Sequence, residues 1–184
     1  MNAIDLMREE HREIKELLKI LGRFCGQLER GEDASLDDGA AMIDFLQAYA
    51  DRFHHEKEER LVFPLLEKLG VPRSGGPIEI MLEDHEQGRA HVRGMAEALE
   101  CLRAGEKEAV RSFAEHARNY ILLLTEHIKT EDEAIFDMAE MRLSPAQLEQ
   151  LASEFVTVEK VTLGAGKHEA LQLLLERLKG MYLQ

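Results

Sequence analysis

The sequence predicts an all-α fold, an up-down-up-down four-helix bundle with two further helices packed against it. Three observations predict it. Apolar residues recur at helical spacing through long segments. Gly and Pro fall at few places, so those segments can run as long helices. The first half of the bundle also repeats as the second, shifted by 73 or 74 residues, and the short connections between segments make neighbouring helices antiparallel.

The first helix is expected from Ala3 to Glu29, with Ile4, Met7, His11, Ile14, Leu18 and Leu21 on one face. A polar loop, RGEDASLDDG, follows and offers Ser35 and Asp37 as caps. The second helix then reaches Leu69 and should be kinked in its last turns by Pro64, which lacks an N–H. The connector GVPRSGGP separates it from a third helix, Ile78 to Arg103, whose inner face carries Ile78, Met81, Leu82, His85, Val92, Met95 and Leu99. After the turn at Ala104 and Gly105 a fourth helix is expected from Glu106 to Met141. Ser144 and Pro145 announce a fifth, and the tail after Gly164-Ala165-Gly166 a sixth, with Leu171, Leu174, Leu175 and Leu178 as its stripe. The expected division is a bundle over residues 1–141 and a helical extension over 142–184, in a chain of 184 residues that has room for one substantial core.

Polar residues interrupt the apolar stripes in a repeated way. Stepping helically from His54 meets Ile43, Leu46, Ala50, Glu58, Leu61 and Leu65. Stepping from His55 meets Asp44, Ala48, Asp51, Glu59, Val62 and Leu66, a wetter face. His54 and Glu58 are therefore expected to point inward, and His55 and Glu59 toward solvent or behind the inward pair. Shifted by 73, His54 and Glu58 become His127 and Glu131, on a stripe of Phe113, Tyr120, Leu123, Leu124, Ala134, Ile135 and Met138. Shifted by 74, His11 and Lys15 become His85 and Arg89. A carboxylate is rarely buried without a cation. At ~1.5 Å rise per residue the six inward groups, His11, His54, Glu58, His85, His127 and Glu131, converge at one level of an antiparallel bundle.

Four imidazoles and two carboxylates suit iron, manganese, copper or zinc better than calcium or magnesium. Two carboxylates at one level can bridge two ions, with positions left open for a small ligand. The remaining histidines read differently. His91 and His168 are expected at the surface, and His116 and Tyr120 farther along the bundle core. Cys25 and Cys101 form no CxxC and read as reduced core thiols.

The motifs around His11, HxxKEExLVFP around His54, MLEDHEQGR around His85 and HxxxExxAIF around His127 resemble the hemerythrin family in its bacterial HHE cation-binding form, from Asp5 to about Met138. The resemblance implies a non-heme di-iron centre, oxo- or hydroxo-bridged, with Glu58 and Glu131 bridging and His11, His54, His85 and His127 as the other ligands. It implies binding or sensing of dioxygen, nitric oxide or a related oxidant such as peroxide, or alternatively a stress response in iron-sulfur cluster repair or peroxide and nitric oxide turnover. Oxygen-carrying members have a second histidine four residues after the one on their third helix. Arg89 stands there, which suggests a missing terminal ligand.

The net charge of −13 argues against nucleic acid and anionic membranes as partners. No secretory h-region and no membrane-length apolar run is visible, so the expected compartment is the cytoplasm.

Overall fold

The structure, a computed structural model, describes residues 2–183, and these form six helices without a strand. Helix α1, Ala3–Glu29, starts at a reciprocal cap. The Asn2 side chain accepts from the Ile4 and Asp5 amides at 2.8 and 3.0 Å, and Asp5 accepts from the Asn2 amide at 2.9 Å. Helix α2 covers residues 36–68 and begins at Ser35, whose hydroxyl accepts from the Asp38 amide. Helix α3 is Pro77–Arg103 and α4 covers residues 109–142. Ser144 and Gln147 form a second reciprocal cap at the head of α5, Pro145–Thr162. Gly166, at φ 74°, turns the chain into α6, Lys167–Tyr182.

Both α2 and α4 contain turns with i→i+5 hydrogen bonding. In α2 these are Leu46–His55 and Glu58–Val62, and in α4 Glu131–Ile135. The Phe63 amide donates to the Glu58 carbonyl and the Phe136 amide to the Glu131 carbonyl. Pro64 follows the first of these turns, but Asp137 occupies the equivalent place after the second. The widened turn therefore belongs to the repeated His/Glu motif, and the proline merely tolerates it at the start of the next α-helical turn.

A wide turn takes up one extra residue, and the inward stripe slips by one. Leu61 and Leu65, expected inside, are only partly buried, whereas Val62 and Leu66 are buried. Past Glu131, Ala134 is exposed and Met138 partly so, and Ile135, Phe136 and Ala139 take the core positions.

The apolar core is split in two by the polar level. One part gathers Ile4, Met7, Val62, Phe63, Ile78, Met81, Ile135 and Phe136 near the start of α1. The other gathers Ile14, Leu18, Phe24, Phe45, Met95, Leu99, Phe113 and Leu124 toward its end. Each buried Leu, Ile or Phe contributes ~1.5–3 kcal/mol, and together they can offset the desolvation of the charged layer between them. Helix α5 joins the first part through Leu148, Leu151 and Phe155, and α6 joins the second through Leu171, Leu175 and Leu178. Cys25 is buried and Cys101 half-buried, both as free thiols.

Candidate metal centre

Between the two apolar clusters the structure brings together all six expected residues. His11, His54, Glu58, His85, His127 and Glu131 are each at most 2% exposed. It adds a seventh. His55 is also buried, at 3% exposure, and its ring stacks on that of His85. The expectation that His55 faces a wet side is thus corrected. Its helix runs as i→i+5 turns through Leu46–His55, so adjacent His54 and His55 both reach the interior.

The donor atoms fall into two overlapping groups. One holds His11, His54, Glu58 and Glu131, the other His55, Glu58, His85 and His127, with the ligating atoms of each group within 4.8 Å of one another. Glu58 is common to both. Its Oε1 lies 3.2 Å from His54 Nε2 and its Oε2 3.3 Å from His85 Nε2. Glu131 spans the groups as well, with Oε2 3.2 Å from both His11 Nε2 and His127 Nε2.

Behind each of four imidazoles stands its own carboxylate. His11 Nδ1 pairs with Asp132 at 2.7 Å and His54 Nδ1 with Glu10 at 2.8 Å. His85 Nδ1 pairs with Glu59 at 2.8 Å and His127 Nδ1 with Asp84 at 3.3 Å. These partners carry the same internal repeat as the histidines, Glu59 lying 73 residues before Asp132 and Glu10 74 before Asp84. Basic residues close the chain at the next step. Lys15 reaches Asp132 at 3.0 Å, and its counterpart Arg89 reaches Glu59 at 2.7 Å. Arg89 also pairs with Asp51 and Glu86. His55 departs from the symmetry. Its counterpart is Ile128, and its Nδ1 lies 3.7 Å from Asp51, beyond hydrogen-bond length.

A carboxylate behind Nδ1 fixes the proton there and turns an Nε2 lone pair inward, the arrangement found around metal-bound histidines. Consequently imidazole nitrogens face carboxylate oxygens across the layer. His11 Nε2, His54 Nε2, both ring nitrogens of His55 and all four oxygens of Glu58 and Glu131 are buried without a hydrogen-bond partner. Such a set is unfavourable by itself and calls for cations. Burial works to raise the Glu131 carboxyl, but His127 and His11 outweigh it and hold it at about 2, while Glu58 is likewise held well below the carboxylate range by His54 and His85. Burial against His85 pushes His55 down to about 3, leaving it neutral. Burial opposes charge on His54 and His127 too, yet the facing carboxylates bring them to about 9 and about 10. A metal ion would displace those protons.

Behind His54 the polar chain continues inward. Lys57 is buried, pairs with Glu10, and stands over the Phe53 ring at 3.5 Å with Phe155 of α5 at 5.2 Å. The helical wheel had not singled out Lys57. His168, expected at the surface, is half-buried, bonded to Glu159 at 2.7 Å and packed on Tyr49 and Phe53. His116 lies away from the centre, with Nδ1 3.2 Å from His91 Nδ1, and is seated against Gly94, where a Cβ would meet its ring at 2.3 Å.

A four-helix bundle with a buried His/Glu layer of this kind defines a cation-binding helical domain. The chain belongs to the hemerythrin HHE cation-binding domain family, which it matches over residues 2–139. It is also 25% identical over 154 residues to an uncharacterised protein of Mycobacterium bovis and to uncharacterised proteins of two Mycobacterium tuberculosis strains. Those alignments cover 82% of this chain, which spans 58% of the length of the relatives it matches. No solved structure matches it significantly. No helix among the described residues is long and apolar enough to cross a membrane.

Proposed function

We propose that the bundle core holds two iron ions and that the protein binds or senses dioxygen, nitric oxide or a related small oxidant there. The observation that carries this reading is the pair of donor groups sharing Glu58, in which buried imidazole nitrogens and carboxylate oxygens face one another without hydrogen-bond partners. Mixed imidazole and carboxylate donors favour a transition metal over calcium or magnesium. In this reading His11 and His54 serve one ion, His55, His85 and His127 the other, and Glu58 and Glu131 bridge them. Bound there, an iron pair would supply redox chemistry toward small oxidants. The chain's own residues hold the imidazoles by their Nδ1 protons, exclude bulk water with two apolar clusters, and offer two imidazoles, those of His11 and His54, to one ion against three to the other.

Anaerobic titration with ferrous iron should reach two irons per chain, and admission of air should give a near-ultraviolet band of a bridged ferric pair. His54→Ala and His127→Ala should each lose most of the iron. Equal metal content in wild type and both variants would overturn the assignment.

Turnover of peroxide or nitric oxide is a second reading, favoured by Tyr120. This tyrosine is 2% exposed and lines a cavity that it shares with His55, so its hydroxyl is a candidate proton donor beside the centre. Loss of steady-state peroxide or nitric oxide consumption in Tyr120→Phe, with iron content unchanged, would distinguish turnover from binding.

A further inference from the structure

On the His55 side of the bundle, a cavity of about 300 Å³ opens between α2 and α3 and reaches Tyr120 of α4. A diatomic molecule needs little more room than one water, ~30 Å³, whereas ~300 Å³ is the lower range of pockets for small organic ligands. Size alone therefore argues for a larger guest.

The lining sets the chemistry of that guest. Arg52, Arg89 and Arg93 contribute three guanidinium groups, against the single carboxylate of Asp51. Asp51 is already taken, lying 2.7 Å from Arg89. Arg52 and Arg93 are exposed, and among the described residues neither pairs with a carboxylate; Arg52 only donates to the Gln47 carbonyl at 3.2 Å. In a chain with 36 acidic and 23 basic residues, two unpaired arginines at one opening form a local cationic rim. Leu46, Gly88 and Val92 give the walls an apolar stretch.

The deep end carries unused polar groups. The Tyr120 side chain is buried but for the cavity it lines, and its hydroxyl has no hydrogen-bond partner among the described residues. Both ring nitrogens of His55 are buried and unpartnered. If His55 binds a metal, as proposed above, the tyrosine hydroxyl still lacks a partner.

We propose that this cavity is a binding site for a small organic monocarboxylate. The carboxylate is held by Arg52 and Arg93, the apolar body lies along Leu46 and Val92, and the far end reaches Tyr120. The site abuts the centre, because His55 lines the cavity and belongs to one donor group, and Arg89 of the lining pairs with Glu59 behind His85. Occupancy there bears on His55 through Asp51 and on His85 through Glu59, so the guest acts as effector or co-substrate of the metal site.

Benzoate is the probe, with benzamide as its neutral counterpart and inorganic phosphate as a bare anion. Calorimetric titration of the purified full chain, with iron measured in the same sample, should show saturable binding of one benzoate. Benzamide and phosphate should bind at least about tenfold more weakly, roughly the worth of a charge-assisted hydrogen bond or of the lost apolar contact. Arg52→Gln/Arg93→Gln, both on the surface, should weaken benzoate by about tenfold or more, and Arg23→Gln/Arg111→Gln should leave it unchanged. Tyr120→Phe should weaken guests with a polar group opposite the carboxylate, such as 4-hydroxybenzoate, more than benzoate. No benzoate binding, equal binding in the Arg52/Arg93 variant, or phosphate binding as tightly as benzoate would each overturn the proposal. Two irons without benzoate binding would leave the metal reading standing, and arginine-dependent benzoate binding without iron would do the reverse.

Discussion

The imidazole of His55 lies flat on that of His85, with ring centroids 3.9 Å apart and planes 12° from parallel. The two come from different halves of the internal repeat, and together with His127 they supply three imidazoles to one side of the core. The third helix has Arg89 where a further histidine would stand, and α2 brings an imidazole, His55, to that side of the core. The sequence suggested a missing terminal ligand. Geometrically, there is an imidazole to take that place.

It follows that His55→Ala should lower bound iron from two per chain to about one, measured by elemental analysis after desalting. Glu59→Gln should keep both ions and weaken their retention by ~10-fold or more, the usual cost of losing the carboxylate behind a ligating histidine. Full iron in His55→Ala would show that the stacked ring is packing alone.

Arg89 joins Asp51 and Glu59, the acids behind or beside His55 and His85. Arg89→Gln should therefore accelerate metal loss to a chelator by ~10-fold through loosened imidazoles. Arg89→His should do the same and should add no ligand, because His55 already occupies that side. Slower chelator-driven release from Arg89→His than from wild type would contradict this.

Lys57 and Glu10 form a buried ion pair under Phe155. Removing one partner leaves an uncompensated charge, so Lys57→Met should cost ~3–5 kcal/mol of stability. Lys57→Met/Glu10→Gln should recover much of that while still loosening His54. Chemical denaturation of the single and double variants would test it, and equal destabilisation in both would show that the loss is one of packing.

The pH response of the metal-free protein has two arms. Glu131 sits at about 2 against an ordinary 4.5, so its stabilisation is present above about 4.5 and is lost as pH falls through 2. His54 and His127 are raised from 6.5 to about 9 and about 10, so theirs is present below 6.5 and is lost as pH rises through those values. His55, held neutral down to about 3 against an ordinary 6.5, adds to the acid arm by losing stability as pH falls below 6.5, so urea midpoints of metal-free protein should be highest near pH 6.5. Iron affinity should instead rise with pH across the alkaline arm, since the ion replaces the protons. A metal-free midpoint that climbs steadily from pH 6 to 9 would refute the assignment.

Much of this was legible from residue spacing. The repeat placed His11 with His85 and the His54/Glu58 pair with His127/Glu131, and Lys15 opposite Arg89 by the same count. The supporting carboxylates were legible too, because Glu10, Glu59, Asp84 and Asp132 obey the same offsets. What could not be read was the rotation of α2. A wheel with 3.6 residues per turn puts His55 100° from His54, and only wider turns bring both inward while moving the core from Leu61 and Leu65 to Val62 and Leu66. Lys57 was hidden for a related reason. Its burial depends on Phe155, which comes from a helix about a hundred residues away.

The sharing of ligands between the halves has a consequence for how the molecule is held together. One donor group takes His11, His54 and Glu58 from the first hairpin and Glu131 from the second, and the other takes His55 and Glu58 from the first and His85 and His127 from the second. Neither hairpin contains a full set, so an ion in either place would act as a clasp between them. A chain cut in the connector between Lys68 and Pro77 would have its two pieces rejoined by metal at concentrations where they otherwise drift apart, and a chelator would release them.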